Sequence, residues 1–248
     1  MRRFVTTIVL LALAGGTAAL AQDQPGTQPP LKATLETCQT GAAPTDRYAV
    51  FTGSMPRQPK AASSMAMRFD LFERTPGTTF GHVALPKWGI WERTTKAGVP
   101  GFIFTKRVDQ LVAPAAYRAV VSFRWYDAKG KVLRSEQRTS AICKQPDPRP
   151  DLHIRRVSFD NGKAHVVVRN RGRSAAGPFD VTASIGDGTA ITRSVTGLPQ
   201  GAQATVTFPA GRCAAGDSMK ITVDQAGAVD EADEADNSVT VSCPTRRR

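Results

Sequence analysis

Tyr117-Arg-Ala-Val-Val-Ser-Phe-Arg-Trp-Tyr126 is the stretch that decides the fold of this 248-residue chain. Side chains suited to a hydrophobic core alternate along it with arginine and serine, as in a β-strand with one buried face. A turn follows at 127–130, and residues 131–142 then have the character of a returning strand. Residues 65–71 alternate in the same way, and no helical spacing occurs between Pro30 and Pro150. We therefore predict an antiparallel β-sandwich for this part of the chain.

A more specific motif precedes the strand. Leu111-Val-Ala-Pro-Ala-Ala-Tyr117 resembles the tyrosine corner of fibronectin type III and related immunoglobulin-like sandwiches. In those folds the tyrosine hydroxyl bonds to backbone a few residues upstream. The resemblance implies structural roles for Leu111 and Tyr117, and a tyrosine that merely begins a strand is the alternative.

The second half of the chain carries about seven short segments of strand character, separated by glycine-containing turns. Before them, Lys144-Gln-Pro-Asp-Pro-Arg-Pro150 places three prolines within 146–150, which is typical of a short, stiff linker. The predicted fold is all-β. Two tandem immunoglobulin-like antiparallel β-sandwiches, at 31–145 and 151–243, follow a cleaved signal peptide.

The second sandwich also resembles a known family. The segments that carry the resemblance are Pro150-Asp-Leu, Val168-Arg-Asn-Arg-Gly172, Leu198 to Gly201, Val223-Asp224 and Val229-Asp-Glu-Ala-Asp-Glu-Ala-Asp-Asn237. They are similar to the CARDB family, the cell-adhesion-related modules of exported bacterial and archaeal proteins. The family's final signature usually reads Glu-x-x-Glu-x-Asn-Asn, and here Asp236 replaces the first Asn. The resemblance implies an immunoglobulin-like fold and a role in adhesion, display or spacing, but no reaction.

The first 21 residues have the layout of a secretory signal peptide. Arg2 and Arg3 precede a mainly apolar run, and small residues surround an expected cleavage after Ala21. An uncleaved signal anchor is the alternative, although the apolar run is short for a membrane span. We expect a disordered leader at 22–30 and a mature chain without a transmembrane segment. It would be secreted or held in the cell envelope, in the periplasm if the source has an outer membrane.

Four cysteines lie in the exported part of the chain, where disulfides persist. Because the linker leaves two on each side, the favoured pairs are Cys38 with Cys143 and Cys213 with Cys243. Free buried thiols are the alternative. The wide spacing, with no Cys-x-x-Cys, argues against zinc.

Positive charge is concentrated in the first half of the chain. Of the formal net charge of +12, residues 22–149 hold 19 basic and 10 acidic residues, whereas 150–248, with a basic tail at 244–248, hold 12 and 11. Export makes nucleic acid an unsuitable partner, so we expect an extracellular protein or an anionic polysaccharide or envelope surface. The candidate contact surface is Lys87, Trp88, Trp91, Arg93, Arg118, Arg124 and Tyr126. The alternative is a solvated surface with the tryptophans in the core.

An acidic cluster lies near the end of the second sandwich. Its members are Asp224, Asp230, Glu231, Asp233, Glu234 and Asp236, with Asn237 beside them. We favour capping of backbone N–H groups in a turn. Calcium is the alternative, because it prefers oxygen ligands, but the spacing is not that of a calcium loop.

Catalytic motifs are absent from the sequence. It has no Gly-x-Ser-x-Gly, no His-Glu-x-x-His and no glycine-rich phosphate loop after a strand, and its three histidines are His82, His153 and His165. We predict an exported, non-catalytic binding or adhesion protein without a cofactor. The alternatives are a structural or accessory subunit or spacer of an exported assembly, and an unrecognised hydrolase with its site in the first sandwich.

Overall fold

The structure is a computed structural model that describes residues 28–94 and 98–244. The expected signal peptide at 1–21, most of the leader and the final four residues of the basic tail lie outside the described residues. Pro30, the last residue of the expected leader, contacts the first sheet, since Ser54 Oγ donates to its carbonyl oxygen at 2.6 Å. Within the described ranges, no helix is both long and apolar enough to cross a membrane.

In its described residues, the first sandwich contains nine strands and one short 3-10 helix, Pro44–Asp46. The strands are β1 Lys32–Gln39, β2 Tyr48–Pro56, β3 Ser64–Arg74, β4 Gly81–Val83, β5 Trp91–Arg93, β6 Gly101–Asp109, β7 Ala115–Tyr126, β8 Val132–Thr139 and β9 Cys143–Gln145. One sheet has the order β1-β2-β6 and the other β4-β3-β7-β8, with β5 also pairing with β3 and β9 with β7. All of these pairings are antiparallel.

Strand β7 carries the centre of the first core, as its alternation predicts. Val121, Phe123 and Trp125 are fully buried, and in the paired strand β3 so are Met67 and Phe69. Burying each side chain of this size contributes about 1.5–3 kcal/mol. The alternate residues of β3 and β7 consequently point away from the core, onto the outer face of the larger sheet.

The second sandwich contains seven strands, which agrees with the sequence pattern. They are β10 Leu152–Asp160, β11 Lys163–Asn170, β12 Phe179–Ile185, β13 Ile191–Val195, β14 Gln203–Pro209, β15 Ser218–Val223 and β16 Ser238–Ser242. The sheets have the orders β10-β11-β14 and β13-β12-β15-β16. In each sandwich the first two strands pair with each other, and the second of them also pairs with a later strand, β6 or β14. Both are therefore immunoglobulin-like, and the all-β prediction is confirmed.

Each sandwich has its own hydrophobic core. One cluster of buried residues runs from Ala49 to Cys143 and the other from Leu152 to Cys243. Each sandwich also contains one disulfide, since the structure joins Cys38 to Cys143 and Cys213 to Cys243. These are the pairs that the position of the linker favours.

Candidate functional site

An arginine-rich surface covers the outer face of the larger sheet in the first sandwich. Strands β3 and β7 place alternate residues on this face, and β5 adds two more along the same sheet. We call it the arginine face; its members are Arg68, Arg74, Arg93, Arg118 and Arg124 with the rings of Phe72, Phe80, Trp91 and Tyr126. The positive charge of this face is thus carried by paired strands rather than by loops.

At one end of this face, three arginines stack on two rings. The guanidinium carbon of Arg124 lies 4.3 Å from the centroid of Trp91, and that of Arg68 lies 5.4 Å from it. Arg93 lies 4.3 Å from the ring of Tyr126. Each such cation–π contact is worth about 0.5–2 kcal/mol, depending on its exposure.

At the other end, two arginines surround the ring of Phe80. Arg118 lies 4.1 Å and Arg74 4.9 Å from its centroid, and Arg118 is also 6.0 Å from Phe72. The Nε atom of Arg118 is buried and has no hydrogen-bond partner in the structure. Stacking fixes the plane of each guanidinium group, and the terminal N–H groups, unlike this buried Nε, can still donate to an anion.

Only one of the five arginines is neutralised by a carboxylate of the described residues. Arg68 Nε lies 3.0 Å from Asp70 Oδ2, while Arg74, Arg93, Arg118 and Arg124 form no ion pair there. His82 Nε2 is 3.7 Å from the other oxygen of Asp70. The arginine face therefore carries an excess of positive charge.

A shallow depression of about 420 Å³ lies beside Trp91. Its lining includes Arg68, Trp91, Ser122, Arg124, Ser135 and Gln137. Glu136 also lines it, but hydrogen bonds from Arg134 and Arg138 neutralise that carboxylate and lower its pKa. The depression combines cationic, hydroxyl, amide and aromatic groups within one small volume.

The structure brings together five of the seven residues of the candidate contact surface. Trp91, Arg93, Arg118, Arg124 and Tyr126 share the arginine face. Tyr126 is only 4% exposed, however, because Arg93 covers its ring, so it supports the surface more than it contacts solvent.

Trp88 and Lys87 lie apart from the arginine face. Trp88 is half-buried and packs edge-on against Phe51 and Phe69, with both ring centroids 6.3 Å away. This is the core packing that the sequence left as the alternative. Lys87 adopts φ 66°, and its carbonyl oxygen accepts a hydrogen bond from Lys106 Nζ.

Sequence reasoning missed the two phenylalanines of this face. Phe72 and Phe80 hold Arg74 and Arg118, but neither was predicted as a site residue. The alternation of residues along β3 predicts on which face of the sheet Phe72 lies. Since Phe69 and Leu71 point inward, Phe72 must point outward with the arginines.

Tyr117 and Leu111 make contacts of the kind that the tyrosine-corner resemblance predicts. The Tyr117 hydroxyl lies 3.1 Å from the carbonyl oxygen of Val112 and is in contact with the Glu73 carboxylate. Burial and the hydrogen bond to Glu73 raise the pKa of Tyr117 above its ordinary value. Leu111 is 3% exposed, and its carbonyl oxygen accepts a hydrogen bond from Arg47 Nε at 2.7 Å.

The acidic loop, residues 224–237, caps its own backbone. Asp224 accepts hydrogen bonds from the N–H groups of Ala228 and Val229 at 3.0 and 2.8 Å. Asp233 accepts one from Ala235 at 2.9 Å. Asp224 and Asp233 thus accept hydrogen bonds of the kind that the sequence-based preference for turn capping describes. The described residues contain no group of three or more His, Cys, Asp or Glu side chains that could hold a metal ion.

Arginines outside the loop pair with its exposed carboxylates. Arg149 contacts Asp230 at 2.6 Å, and Arg171 contacts Asp236 at 2.7 Å. Arg171 also lies 3.7 Å from Asp233. The cluster is therefore less negative than its sequence suggests.

Glu231 is the buried member of the acidic loop. It is 1% exposed and accepts hydrogen bonds from the Leu152 N–H and from Asn237 Nδ2. The same Asn237 nitrogen donates to Glu234 at 3.0 Å. Burial raises the pKa of Glu231 to about 7, so this carboxyl group titrates near neutral pH.

The second sandwich is similar to a known family of protein domains. The CARDB family model matches residues 150–241. This range contains the second sandwich almost completely and the whole acidic loop. The resemblance seen in the sequence is confirmed for this part of the chain. A comparison with curated proteins finds no match.

Two solved structures are similar to part of this chain. One, from Methanosarcina acetivorans and described as a domain of a cell surface protein, is 24% identical with a TM-score of 0.36; the match covers 40% of this chain and 95% of that one. The other is a Pyrococcus furiosus CARDB domain in complex with di-metal ions. It is 23% identical with a TM-score of 0.29, and the match covers 38% and 88% of the two chains.

A longer match extends into the first sandwich. The chicken CNTN1 FN1–FN3 domains match 89% of this chain and 69% of their own length, at 14% identity and a TM-score of 0.25. At such values none of these structures indicates a ligand for this chain.

The residues that carry the CARDB resemblance have structural roles here. Asn170 is fully buried, accepts hydrogen bonds from Asp151 and Gly172, and donates to the Leu198 carbonyl oxygen. A Cβ atom on Gly172 would lie 2.5 Å from linker backbone atoms, including the carbonyl oxygen of Arg149. Glycine is therefore needed where the linker meets the CARDB-like sandwich.

The histidines do not form a common site. His82 lies in the first sandwich, half-exposed and edge-on to Phe72. His153 and His165 lie on β10 and β11 of the CARDB-like sandwich, in different register positions. Burial, followed by the charge of Arg171, lowers the pKa of His153.

Proposed function

We propose that this protein is an exported, non-catalytic binding or adhesion protein whose arginine face recognises an anionic component outside the cell. The observation that carries the proposal is the set of four arginines on one open sheet face without carboxylate partners in residues 28–94 and 98–244. An arginine that only contacts solvent does not need a fixed orientation. An arginine that binds an anion gains a fixed donor geometry.

The location outside the cytoplasm is supported by two features. Both cysteine pairs are disulfide-bonded, which suits an oxidising compartment. The signal-peptide pattern at the N-terminus is the second. In this proposal the CARDB-like sandwich displays or spaces the first sandwich at the surface where the anionic component lies.

Retention on a dextran sulfate column tests the proposal. The intact exported protein should bind at low ionic strength and elute as salt screens the arginines. A double variant, Arg118→Gln with Arg124→Gln, should elute at clearly lower salt. Arg107→Gln is the matched control, because Arg107 also stacks on a ring, that of Tyr48, but lies on β6 of the other sheet and pairs with Asp109. Equal elution of all three proteins would refute the proposal.

A second candidate role is that of an accessory subunit or spacer. The attachment of the linker to the CARDB-like sandwich favours it, since Ala232 donates to the Pro150 carbonyl oxygen and Glu231 accepts from Leu152. A protein of this type should co-purify with a stable partner, and that association should survive the arginine substitutions.

A further inference from the structure

The arginine face is divided into two separate clusters along strand β7. Arg118 and Arg124 are six residues apart on this strand and point to the same side, so their Cα atoms are about 20 Å apart. Arg74 adjoins the first of them, and Arg68 and Arg93 adjoin the second. Between the clusters lie Val120 and the ion-paired Asp70. Positive charge is therefore concentrated at two points rather than spread over the face.

The cluster around Arg124 is accompanied by neutral polar groups. Ser122, Ser135 and Gln137 line the depression beside Arg68 and Arg124, and Gln137 Nε2 donates to Ser122 Oγ at 3.3 Å. Hydroxyl and amide groups are suited to the hydroxyls of a sugar, and the guanidinium edges to a carboxylate or sulfate. The indole of Trp91 adds an aromatic surface on the same side.

The geometry points to a linear acidic polysaccharide as the ligand, lying along β7 with one anionic sugar in the depression beside Trp91 and another anionic group at Arg118. This inference rests on the proposed function, because it takes the arginine face as the binding surface. One polysaccharide molecule is long enough to contact both clusters. Once it is bound at one cluster, its contact with the other is intramolecular, so the overall affinity increases. The surface of an anionic membrane carries charge continuously, so the division of the arginines into two clusters would not increase affinity for it.

The test compares heparin-derived oligosaccharides of defined length, a disaccharide and a decasaccharide, in binding titrations with the intact protein. The decasaccharide should bind at least about tenfold more tightly than the disaccharide, because only it reaches both clusters. Arg118→Gln should weaken decasaccharide binding about tenfold and leave disaccharide binding nearly unchanged. Arg124→Gln should weaken both. Arg107→Gln is again the control, and far-ultraviolet circular dichroism verifies that each variant is folded.

The other outcomes separate this inference from the proposed function. If the disaccharide and decasaccharide bind equally, with equal sensitivity to Arg118→Gln, the face binds single anions and the two-cluster inference is wrong, although the proposed function survives. If vesicles containing phosphatidylglycerol bind in an arginine-dependent manner and the oligosaccharides do not, the ligand is a membrane surface and the inference is also wrong. Absence of arginine-dependent binding to any of these probes overturns both.

Discussion

Arg124 lies over the indole of Trp91, with its guanidinium carbon 4.3 Å from the ring centroid, although the two residues are on strands that do not pair with each other. Strand β3 separates them and pairs with both. Ala66 is opposite Arg124 and Arg68 is opposite Trp91. The small side chain of Ala66 leaves room for this diagonal contact, so strand register creates an arrangement that no single segment contains.

Substitution of Trp91 should weaken ligand binding while leaving the fold nearly as stable. Trp91→Ala removes the ring that orders Arg68 and Arg124, and we expect affinity for dextran sulfate to fall about threefold to tenfold. Trp88→Ala should have the opposite profile. That ring packs against Phe51 and Phe69, so its loss should lower the free energy of unfolding by about 3 kcal/mol and leave binding unchanged. Binding titrations and urea unfolding measure the two effects, and a loss of binding in both variants would contradict this distinction.

Removal of the Tyr117 hydroxyl should destabilise the first sandwich. Tyr117→Phe deprives Glu73 and the Val112 carbonyl oxygen of a partially buried donor, at a cost of about 1–3 kcal/mol. Tyr126→Phe is the matched control, because the ring under Arg93 is retained. Urea unfolding followed by tryptophan fluorescence measures both variants. Equal stability of the two would show that the tyrosine corner contributes little here.

The sequence predicted the sandwiches well because their cores follow a period of two. The alternation in β7 located its buried residues, and the linker prolines at 146–150 lie in sequence between the buried residues of the two cores. The arginine face was only partly predictable. Arg118, Arg124 and Tyr126 share one strand, so their common side could be read directly. The association of Trp91 with Arg124, and of Phe80 with Arg118, depends on strand order and register, which a single sequence does not specify.

Charge patterns in the sequence were less informative for the acidic loop. Six carboxylates close together suggested calcium as an alternative, but their nearest partners are backbone N–H groups, Asn237 and two arginines distant in sequence. Because each of the six carboxylates already has at least one hydrogen-bond or ion-pair partner, we expect millimolar calcium to leave the melting temperature unchanged. A calcium-dependent rise in thermal unfolding experiments, reversed by a chelator, would reveal a site.

Stability should depend on pH through Glu231. Its pKa is about 7 in the folded protein, mainly because of burial, against an ordinary value of 4.5. The folded state therefore binds more protons than the unfolded state between these values. The contribution of this group is fully present below about pH 4.5 and is lost as the pH rises through about 7. We expect the difference in melting temperature between pH 5 and pH 8 to shrink in Glu231→Gln.

His153 acts in the opposite direction and must be separated from this effect. Its pKa is lowered in the fold by burial, so its contribution is present above about 6.5 and is lost as the pH falls below that value. In His153→Gln the decline in stability with rising pH should be steeper than in the parent protein. A decline that persists unchanged in Glu231→Gln would assign it to another group.

The two disulfides should stabilise two separately unfolding units. Cys38 and Cys143 are 105 residues apart and Cys213 and Cys243 are 30 apart, so each crosslink is worth about 3–5 kcal/mol in the chain-entropy model. All 3 tryptophans, Trp88, Trp91 and Trp125, lie in the first sandwich, so their fluorescence reports on that unit alone. Replacing Cys213 and Cys243 by Ser should lower the midpoint of one unfolding transition seen by far-ultraviolet circular dichroism. The midpoint of the transition seen by fluorescence should not change. Replacing Cys38 and Cys143 by Ser should lower the fluorescence transition. If both double variants shift it equally, the sandwiches unfold as a single cooperative unit, because two independent cores cannot transmit the loss of a crosslink in this way.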